Sequence, residues 1–412
     1  MLLKYKVRNF CSFKDEIVFS MKPGKVMSRF EDNVVCINPK LKILKTAVIV
    51  GENAGGKTCF MLSLDYLKYL FKSESNQIML KSLSHNYNIE DSQFFELTVL
   101  ADNDMIYTYQ LEIDAKSIVL ERLYIRNSKH DESFNKQIFC TKRIKCEDCK
   151  NRDDSKTATL KIYYEIDIED KYVSKELRSV IESNYANRFD VVGLTLNYLA
   201  LVGVDIVKPM VNWINNTLVL DLPKDYSLNI YKKLQEDEED LSIIKTDEFL
   251  EIFKLVDSSI CAIEVNEEEP FEKTIIVRKT RDNTEFRIEL NKESSGTRSF
   301  FAWSIQIWKV INKNAVLFAD EMDSVLNAIL SEKIITLIHG SKHKGQFVFS
   351  THNVLHLNTY NYMKEQLNFI TKNNESLSSE LYSLADFKNY RYDKADVFDL
   401  YLKGILGGVP NE

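Results

Sequence analysis

Residues 51–58 read Gly-Glu-Asn-Ala-Gly-Gly-Lys-Thr, a complete GxxxxGK[ST] spacing, and their flanks limit what this chain can fold into. Before them, Ala47-Val48-Ile49-Val50 is a short β-branched run that predicts a buried strand. After them, Phe60, Leu64, Leu67 and Phe71 recur at i, i+4, i+7 and i+11, the apolar stripe of a helix. Strand, glycine turn and helix, in that order, is the context in which this motif binds phosphate. The turn lets the backbone of Gly51, Glu52, Asn53, Ala54, Gly55 and Gly56 curl its N–H groups around phosphate oxygens, and the helix N-terminus adds the positive end of its dipole. Lys57 is expected to reach the β- and γ-phosphates and the Thr58 hydroxyl to ligate magnesium. The expected ligand is a nucleoside triphosphate, ATP.

The rest of the chain bounds the setting. Its 412 residues are enough for two or three lobes. A net charge of -7, from 54 basic and 61 acidic residues, excludes a generally basic, polyanion-coating protein but leaves room for a local nucleic-acid groove. The longest apolar stretch, Val191 to Val207, is broken by Asn197 and Asp205 and is too short and too polar to span a membrane. The N-terminus alternates like a strand, with no secretory apolar region after it. Seven scattered cysteines fit a reducing compartment better than a disulfide framework, so a cytoplasmic location is expected.

Patterning suggests three parts: an N-terminal ATPase lobe over 1–170, a helical insertion over 171–270 and a C-terminal ATPase lobe over 271–412. In the first, Phe94 to Leu100 and Ile106 to Ile113 alternate around Asp102-Asn103-Asp104, a β-hairpin signal, and Ser117 to Ile125 and Thr159 to Ile166 continue as strands. The second predicts a helix through Leu177, Val180 and Ile181 and then one long apolar helix ending near Ile214. Glu236 to Asp240 reads there as an exposed acidic loop. Strands return at Lys273 to Arg278 and Glu285 to Leu290, followed by helix, strand, helix and strand to Ser350, the alternation of an α/β core.

Two carboxylates close an apolar strand at Ala315-Val316-Leu317-Phe318-Ala319-Asp320-Glu321. A magnesium-holding Asp belongs there, so Asp320 is expected to hold the ion through water and Glu321 to polarise an attacking water. One helix upstream lies Glu293-Ser294-Ser295-Gly296-Thr297-Arg298, and one strand downstream Ser350-Thr351-His352-Asn353. By itself the Ser-Ser-Gly turn is an ordinary helix cap. In this order, however, phosphate loop, Ser-Ser-Gly, Asp-Glu and His resemble the ABC-type ATPases. The resemblance implies that Ser294, Ser295 and Gly296 face the γ-phosphate held by a second subunit. It also implies that His352 is a switch residue sensing that phosphate, so that the catalytic set is Glu321, His352 and Lys57.

More closely, the chain resembles the AAA-type ATPases of the RloA/AbiL group, relatives of the RecF, SMC and OLD heads. The likeness also includes Val7-Arg8-Asn9-Phe10-Cys11-Ser12-Phe13-Lys14-Asp15 and the end, Tyr401-Leu402-Lys403-Gly404 with Gly407-Gly408-Val409-Pro410. It implies an α/β P-loop NTPase of ABC/RecF-SMC head type with an antiparallel β lobe and a helical insertion. It further implies a homodimer or higher homo-oligomer acting in anti-phage defence or abortive infection, beside a separate TOPRIM-type nuclease resembling RloB. The alternative is a RecF/SMC-like DNA-binding ATPase of repair or recombination. Two departures stand out: Leu326-Asn327-Ala328 replaces the family's Leu-His-Pro, and the Gln loop has only Gln93 as a candidate.

Two further features were weighed. Cys140, Cys146 and Cys149, with His130 as fourth ligand, could form a zinc site, but one Cys-x-x-Cys without a second pair favours a solvated, basic hairpin tip around Lys142, Arg143, Lys145, Lys150 and Arg152. The glycine-rich, apolar tail from Tyr401 to Pro410 either packs on its own core or anchors a partner, and the anchor is the preferred expectation.

Overall fold

The protein is described by a computed structural model covering residues 1–72, 85, 91–114, 117–145, 162–186, 193–222, 238–324, 326–357, 359–373, 375–387 and 397–407. The Ala47–Val50 run forms the strand Thr46–Gly51, and this strand lies inside a six-stranded sheet. The sheet order is Leu218–Asp221, Val316–Ala319, Gln346–Thr351, Thr46–Gly51, Leu367–Lys372 and Ser379–Ser383. The first five strands are parallel and the last is antiparallel. A parallel sheet is stable when both faces are covered, and strand Thr46–Gly51 shows the division. Its Ala47 and Ile49 belong to one buried cluster, while Val48 and Val50 belong to another.

The first cluster includes the phosphate-loop helix Lys57–Lys72 and the inner face of a seven-stranded antiparallel sheet. That sheet runs Ile162–Ile168, Lys136–Lys145, Ile118–Asn127, Met105–Ile113, Gln93–Leu100, Leu2–Arg8 and Ile17–Ser20. The predicted hairpin is its Gln93–Leu100 and Met105–Ile113 pair. Buried Gln346 joins the two sheets: its amide nitrogen donates to the Leu2 and Leu44 carbonyls, both at 3.0 Å, and its oxygen accepts from the Leu2 N–H. The second cluster is built on the helices Ser295–Lys313 and Ala328–Gly340.

Several local expectations change. The single helix ending near Ile214 is in fact a chain of short pieces: Thr195–Leu201, a 3-10 turn Asp205–Val207, Lys208–Asn212 and a π turn Trp213–Thr217. Gly203, at φ +91°, turns the chain out of the right-handed helix. Buried Glu121, reaching over from the antiparallel sheet, accepts the Thr195 and Leu196 N–H groups and so fixes where the first piece starts. In the acidic run, Glu236 and Asp237 lie outside the described residues. Glu238–Asp240 open the helix Glu238–Ile243: Glu238 and Glu239 are exposed as expected, but on a helix, while Asp240 is buried against Lys309 at 2.6 Å. A strand absent from the sequence reading, Ile260–Glu264, completes a three-stranded sheet with Ile275–Lys279 and Glu285–Glu289.

The cysteine cluster fares similarly. Cys140 sits within strand Lys136–Lys145, where its Sγ accepts from Arg122 Nε at 3.4 Å. Lys142, Arg143 and Lys145 belong to that strand, with Arg143 paired to Asp114, so they are no loop tip. His130 precedes the strand and packs on Phe134. Cys146, Cys149, Lys150 and Arg152 lie outside the described residues, and among the described residues no group of three His, Cys, Asp or Glu side chains could hold a metal.

At the C-terminus part of the tail packs on its own core. The helix Val397–Leu402 and the turn after it bury Tyr401 and Leu406, and the Tyr382 hydroxyl donates to the Leu406 carbonyl at 2.6 Å. Leu402 and Ile405, by contrast, are 54% and 59% exposed, so the tail packs through Tyr401 and Leu406 and leaves two apolar side chains on the surface; Gly408, Val409 and Pro410 lie outside the described residues.

Candidate functional site

Parallel strands present their carboxyl ends at one edge, and that edge gathers the motif residues. Strand Thr46–Gly51 delivers the phosphate loop, Val316–Ala319 delivers Asp320 and Glu321, and Gln346–Thr351 delivers His352.

The loop's backbone is specified residue by residue. Gly51 is in strand register with Ile370, and a Cβ there would lie 2.2 Å from the Ile370 carbonyl oxygen. Gly55 offers its carbonyl to the Ser379 hydroxyl at 2.6 Å. Gly56 takes φ +115°, and a Cβ on it would meet the Ser12 and Ser379 hydroxyls at 2.7 Å. Ala54 is held left-handed at φ +60°, and Asn53 and Ala54 are exposed, facing outward where a ligand would arrive. Ser379 N–H donates to the Ser12 carbonyl at 2.7 Å, so the Asn9–Asp15 turn, the last strand and the loop brace one another.

Lys57 is 5% exposed, and its Nζ donates to the Gly51 and Glu52 carbonyls at 2.8 and 2.9 Å. Burial pushes its pKa down, against the opposing pull of Asp320, Glu321, Asp323 and Glu52. A cation held in part by its own loop's carbonyls can be transferred to an incoming phosphate without leaving the site. Thr58, next in the helix, is exposed.

Asp320 is 1% exposed; its Oδ1 accepts from the Ser350 hydroxyl at 2.5 Å, while Oδ2 is buried with no hydrogen-bond partner. An unpaired buried carboxylate oxygen is costly unless something cationic meets it. The donor set of Asp320 Oδ2 and the exposed Thr58 hydroxyl is all oxygen, which suits magnesium. Glu321 is left-handed at φ +50°, a strained setting for a side chain with a Cβ, and its N–H donates to the same Ser350 hydroxyl at 2.8 Å.

Sequence reasoning missed the residue that holds the turn carrying His352. Asp323 accepts from the Thr351 hydroxyl, from the His352 N–H at 2.5 Å and from the Asn353 N–H at 3.1 Å, leaving the His352 side chain exposed at the edge. A carboxylate three residues beyond Asp320 was visible, but its partners thirty residues later were not. In the sequence Ser350 reads only as the end of a strand, and Ser379 carries no signal at all.

Ser294, Ser295 and Gly296 are exposed at the start of the helix Ser295–Lys313. Within that helix Val310 crowds Gly345, at the amino end of the Gln346–Thr351 strand, and Trp303 contacts Phe347 further along. The helix therefore runs antiparallel to the strands, and Ser294 lies towards the carboxyl edge. The Ser294 hydroxyl accepts from the Thr297 N–H at 3.1 Å, the helix-cap arrangement, and does not meet its own phosphate loop. Asn327 likewise caps the helix Ala328–Gly340 by accepting from Leu330 N–H at 3.0 Å. Gln93 is buried, its amide donating to the Asn9 carbonyl at 3.0 Å.

The family described as "AAA domain, putative AbiEii toxin, Type IV TA system" matches residues 47–358, which include every motif above except the two chain ends. The chain belongs to this family. Its fold is the P-loop NTPase fold of the ABC and SMC head type, with the antiparallel lobe and helices that the motif order implied. Among solved structures it is similar to the SMC head domain from Thermotoga maritima at 16% identity, over 93% of this chain and 98% of that one, with a TM-score of 0.43. An SMC head bound to the C-winged helix domain of ScpA is similar at 12% identity, over 93% and 97%, with a TM-score of 0.45. No curated protein matches the sequence. Among the described residues no helix is long and apolar enough to cross a membrane.

Proposed function

We propose that this chain is an ATPase whose two copies close over two ATP molecules, and that closure controls a separate effector, a TOPRIM-type nuclease resembling RloB, in defence against phage. The observation that carries the first part is the position of Ser294–Gly296. They are exposed towards the same edge as Lys57 and Asp320, yet turned to their own helix, which suits a surface completed by a second copy.

In this reading ATP enters over the exposed Asn53-Ala54 turn, and Lys57 exchanges the Gly51 and Glu52 carbonyls for β- and γ-phosphate oxygens. Asp320, through water, and Thr58 would hold magnesium, which neutralises charge on the phosphates. Glu321 accepts a proton from the attacking water, and the Ser350 hydroxyl bridging Asp320 and the Glu321 N–H keeps that carboxylate in place. His352 donates to the γ-phosphate, and Asp323 sets the backbone that carries it. Ser294, Ser295 and Gly296 of the second copy bind the same phosphate with hydroxyl and N–H donors. A group contacting both copies stabilises the closed state, and its hydrolysis removes that differential interaction.

The test is complementation. A Cβ on Gly296 would meet nothing nearer than Ser294 Oγ at 4.0 Å, so Gly296→Arg leaves its own fold intact while filling the face opposite the γ-phosphate. Mixed with Lys57→Ala protein, it yields a dimer with one doubly defective and one intact composite site. Partial recovery of ATPase activity supports sharing between copies; no recovery at any ratio rules it out. Co-purification of the neighbouring gene's product with the ATP-locked form tests the effector.

A further inference from the structure

A second concave site lies away from the carboxyl edge. The turn Pro39–Lys42 comes just before strand Thr46–Gly51, at the end opposite the phosphate loop. Together with the segment Lys22–Val26 and the turn Ser128–Ser133 it walls a cleft of about 800 Å³. That is within the roughly 300–1,000 Å³ of small-ligand sites. Lys22, Lys40, Lys42, Arg126 and Lys129 line it, with His130 at its side and only Asp131 and Glu132 as carboxylates.

Those carboxylates are engaged. Glu132 pairs with Lys22 at 3.1 Å and Lys4 at 3.6 Å, and Asp131 caps its own turn through the Ser133 N–H at 3.0 Å. Lys40, Lys42 and Lys129 are exposed and in no ion pair among the described residues. Below them Arg126 is 5% exposed: its Nη1 donates to Asn135 Oδ1 at 2.8 Å, but its Nε is buried with no partner. The Glu132 and Asp131 charges act on Arg126, and Asp131 also feels Lys40, but the cleft's five cations outnumber these two carboxylates, and a buried guanidinium with an unused donor suits a planar or tetrahedral oxyanion. In a protein of net charge -7 such a local excess of cations is not a general surface property. Val26, Pro39, Leu41 and Ile106 add apolar surface to the lining, beside Ser128, Ser133 and His130, so the cleft combines cationic groups with apolar contacts.

We infer that this cleft binds a nucleoside 5′-phosphate, with phosphate against Arg126 and the lysines and the base against the Leu41–Ile106 wall. The same chemistry is presented by a free mononucleotide and by the 5′ end of a nucleic-acid strand. The site is separate from the phosphate loop and does not depend on the ATPase reading.

Calorimetry on the full chain, with the Lys57 site saturated by a non-hydrolysable ATP analogue and magnesium, tests it. The titrants are AMP and a 5′-phosphorylated tetranucleotide. At least one should bind, more weakly as salt rises, and the Lys40→Glu/Lys129→Glu variant should lose roughly tenfold or more in affinity, as expected for reversing two phosphate contacts. Arg126→Gln should weaken it too. Because Arg126 is buried, the exposed lysine pair is the decisive variant, with unchanged melting and unchanged analogue affinity as controls. Tighter binding of the tetranucleotide identifies a strand end; equal or better binding of AMP identifies a free nucleotide. The inference is overturned if neither titrant binds, if the lysine variant binds as well as wild type, or if orthophosphate competes as effectively as AMP.

Discussion

The Ser350 hydroxyl donates to Asp320 Oδ1 at 2.5 Å, linking the end of one parallel strand to the carboxylate that ends its neighbour. The same oxygen accepts the Glu321 N–H, so one buried hydroxyl positions both acidic residues. Ser350→Ala should strand both groups, costing about 1–3 kcal/mol of stability for the unsatisfied partners. ATP turnover should fall further than melting alone explains, because the left-handed Glu321 loses the hydrogen bond that ties its backbone to Ser350. Steady-state ATPase rates beside thermal melts check this; a variant that loses stability but keeps its turnover number would show that Ser350 is purely structural.

Glu321→Gln keeps the shape and the backbone hydrogen bond but removes the proton acceptor. Turnover should drop by about 100-fold or more, the scale for losing a positioned base, with ATP binding preserved. The variant should also accumulate as a closed assembly with ATP, measurable by light scattering. Wild-type hydrolysis would remove Glu321 from the chemistry.

Lys57→Ala deletes the proposed phosphate donor and also the two hydrogen bonds from Nζ to the Gly51 and Glu52 carbonyls. Affinity for ATP should fall by roughly tenfold or more. Calorimetry with and without magnesium reads this, and unchanged affinity would mean that the loop is not the nucleotide site.

Truncation at Gly404 should destabilise the protein, because Leu406 is 1% exposed and Tyr382 donates to its carbonyl. Leu406→Ala, a milder probe, should cost about 2–4 kcal/mol for a lost core side chain. Denaturant midpoints decide; a variant as stable as wild type would return the tail to the role of a partner anchor.

His339 gives the fold an acid weakness. Burial first, then the Lys45 and His343 charges, hold its pKa down to about 3, with its Nε2 against Thr46 Oγ1 at 2.8 Å. The unfolded chain binds a proton near pH 6.5 that the folded chain refuses, so stability falls as pH drops from about 6.5 towards 3 and levels off below. His339→Gln should flatten that slope in urea midpoints measured across the window. An equal slope in both proteins would show that other groups carry the acid response.

The phosphate-loop unit was legible in the sequence because its pattern is local. Val48, Gly51, Gly56, Lys57 and Phe60 belong to one strand, one turn and one helix, and hydrophobic period and glycine placement are enough to specify all three. Asp320 with Glu321, and His352, were legible for the same reason, each being the end of a short apolar strand. The tertiary structure decided what depends on partners far along the chain. Asp323 gains its meaning only from Thr351, His352 and Asn353, Gly55 from Ser379, and the start of the Thr195–Leu201 helix from Glu121 in another sheet. The tail followed the same rule: its apolar residues signalled burial, but only the packed structure decided that Tyr401 and Leu406 are covered while Leu402 and Ile405 stay exposed. Backbone periodicity is written in neighbouring residues, whereas a buried hydrogen bond is specified by two side chains whose proximity exists only after the sheets have packed.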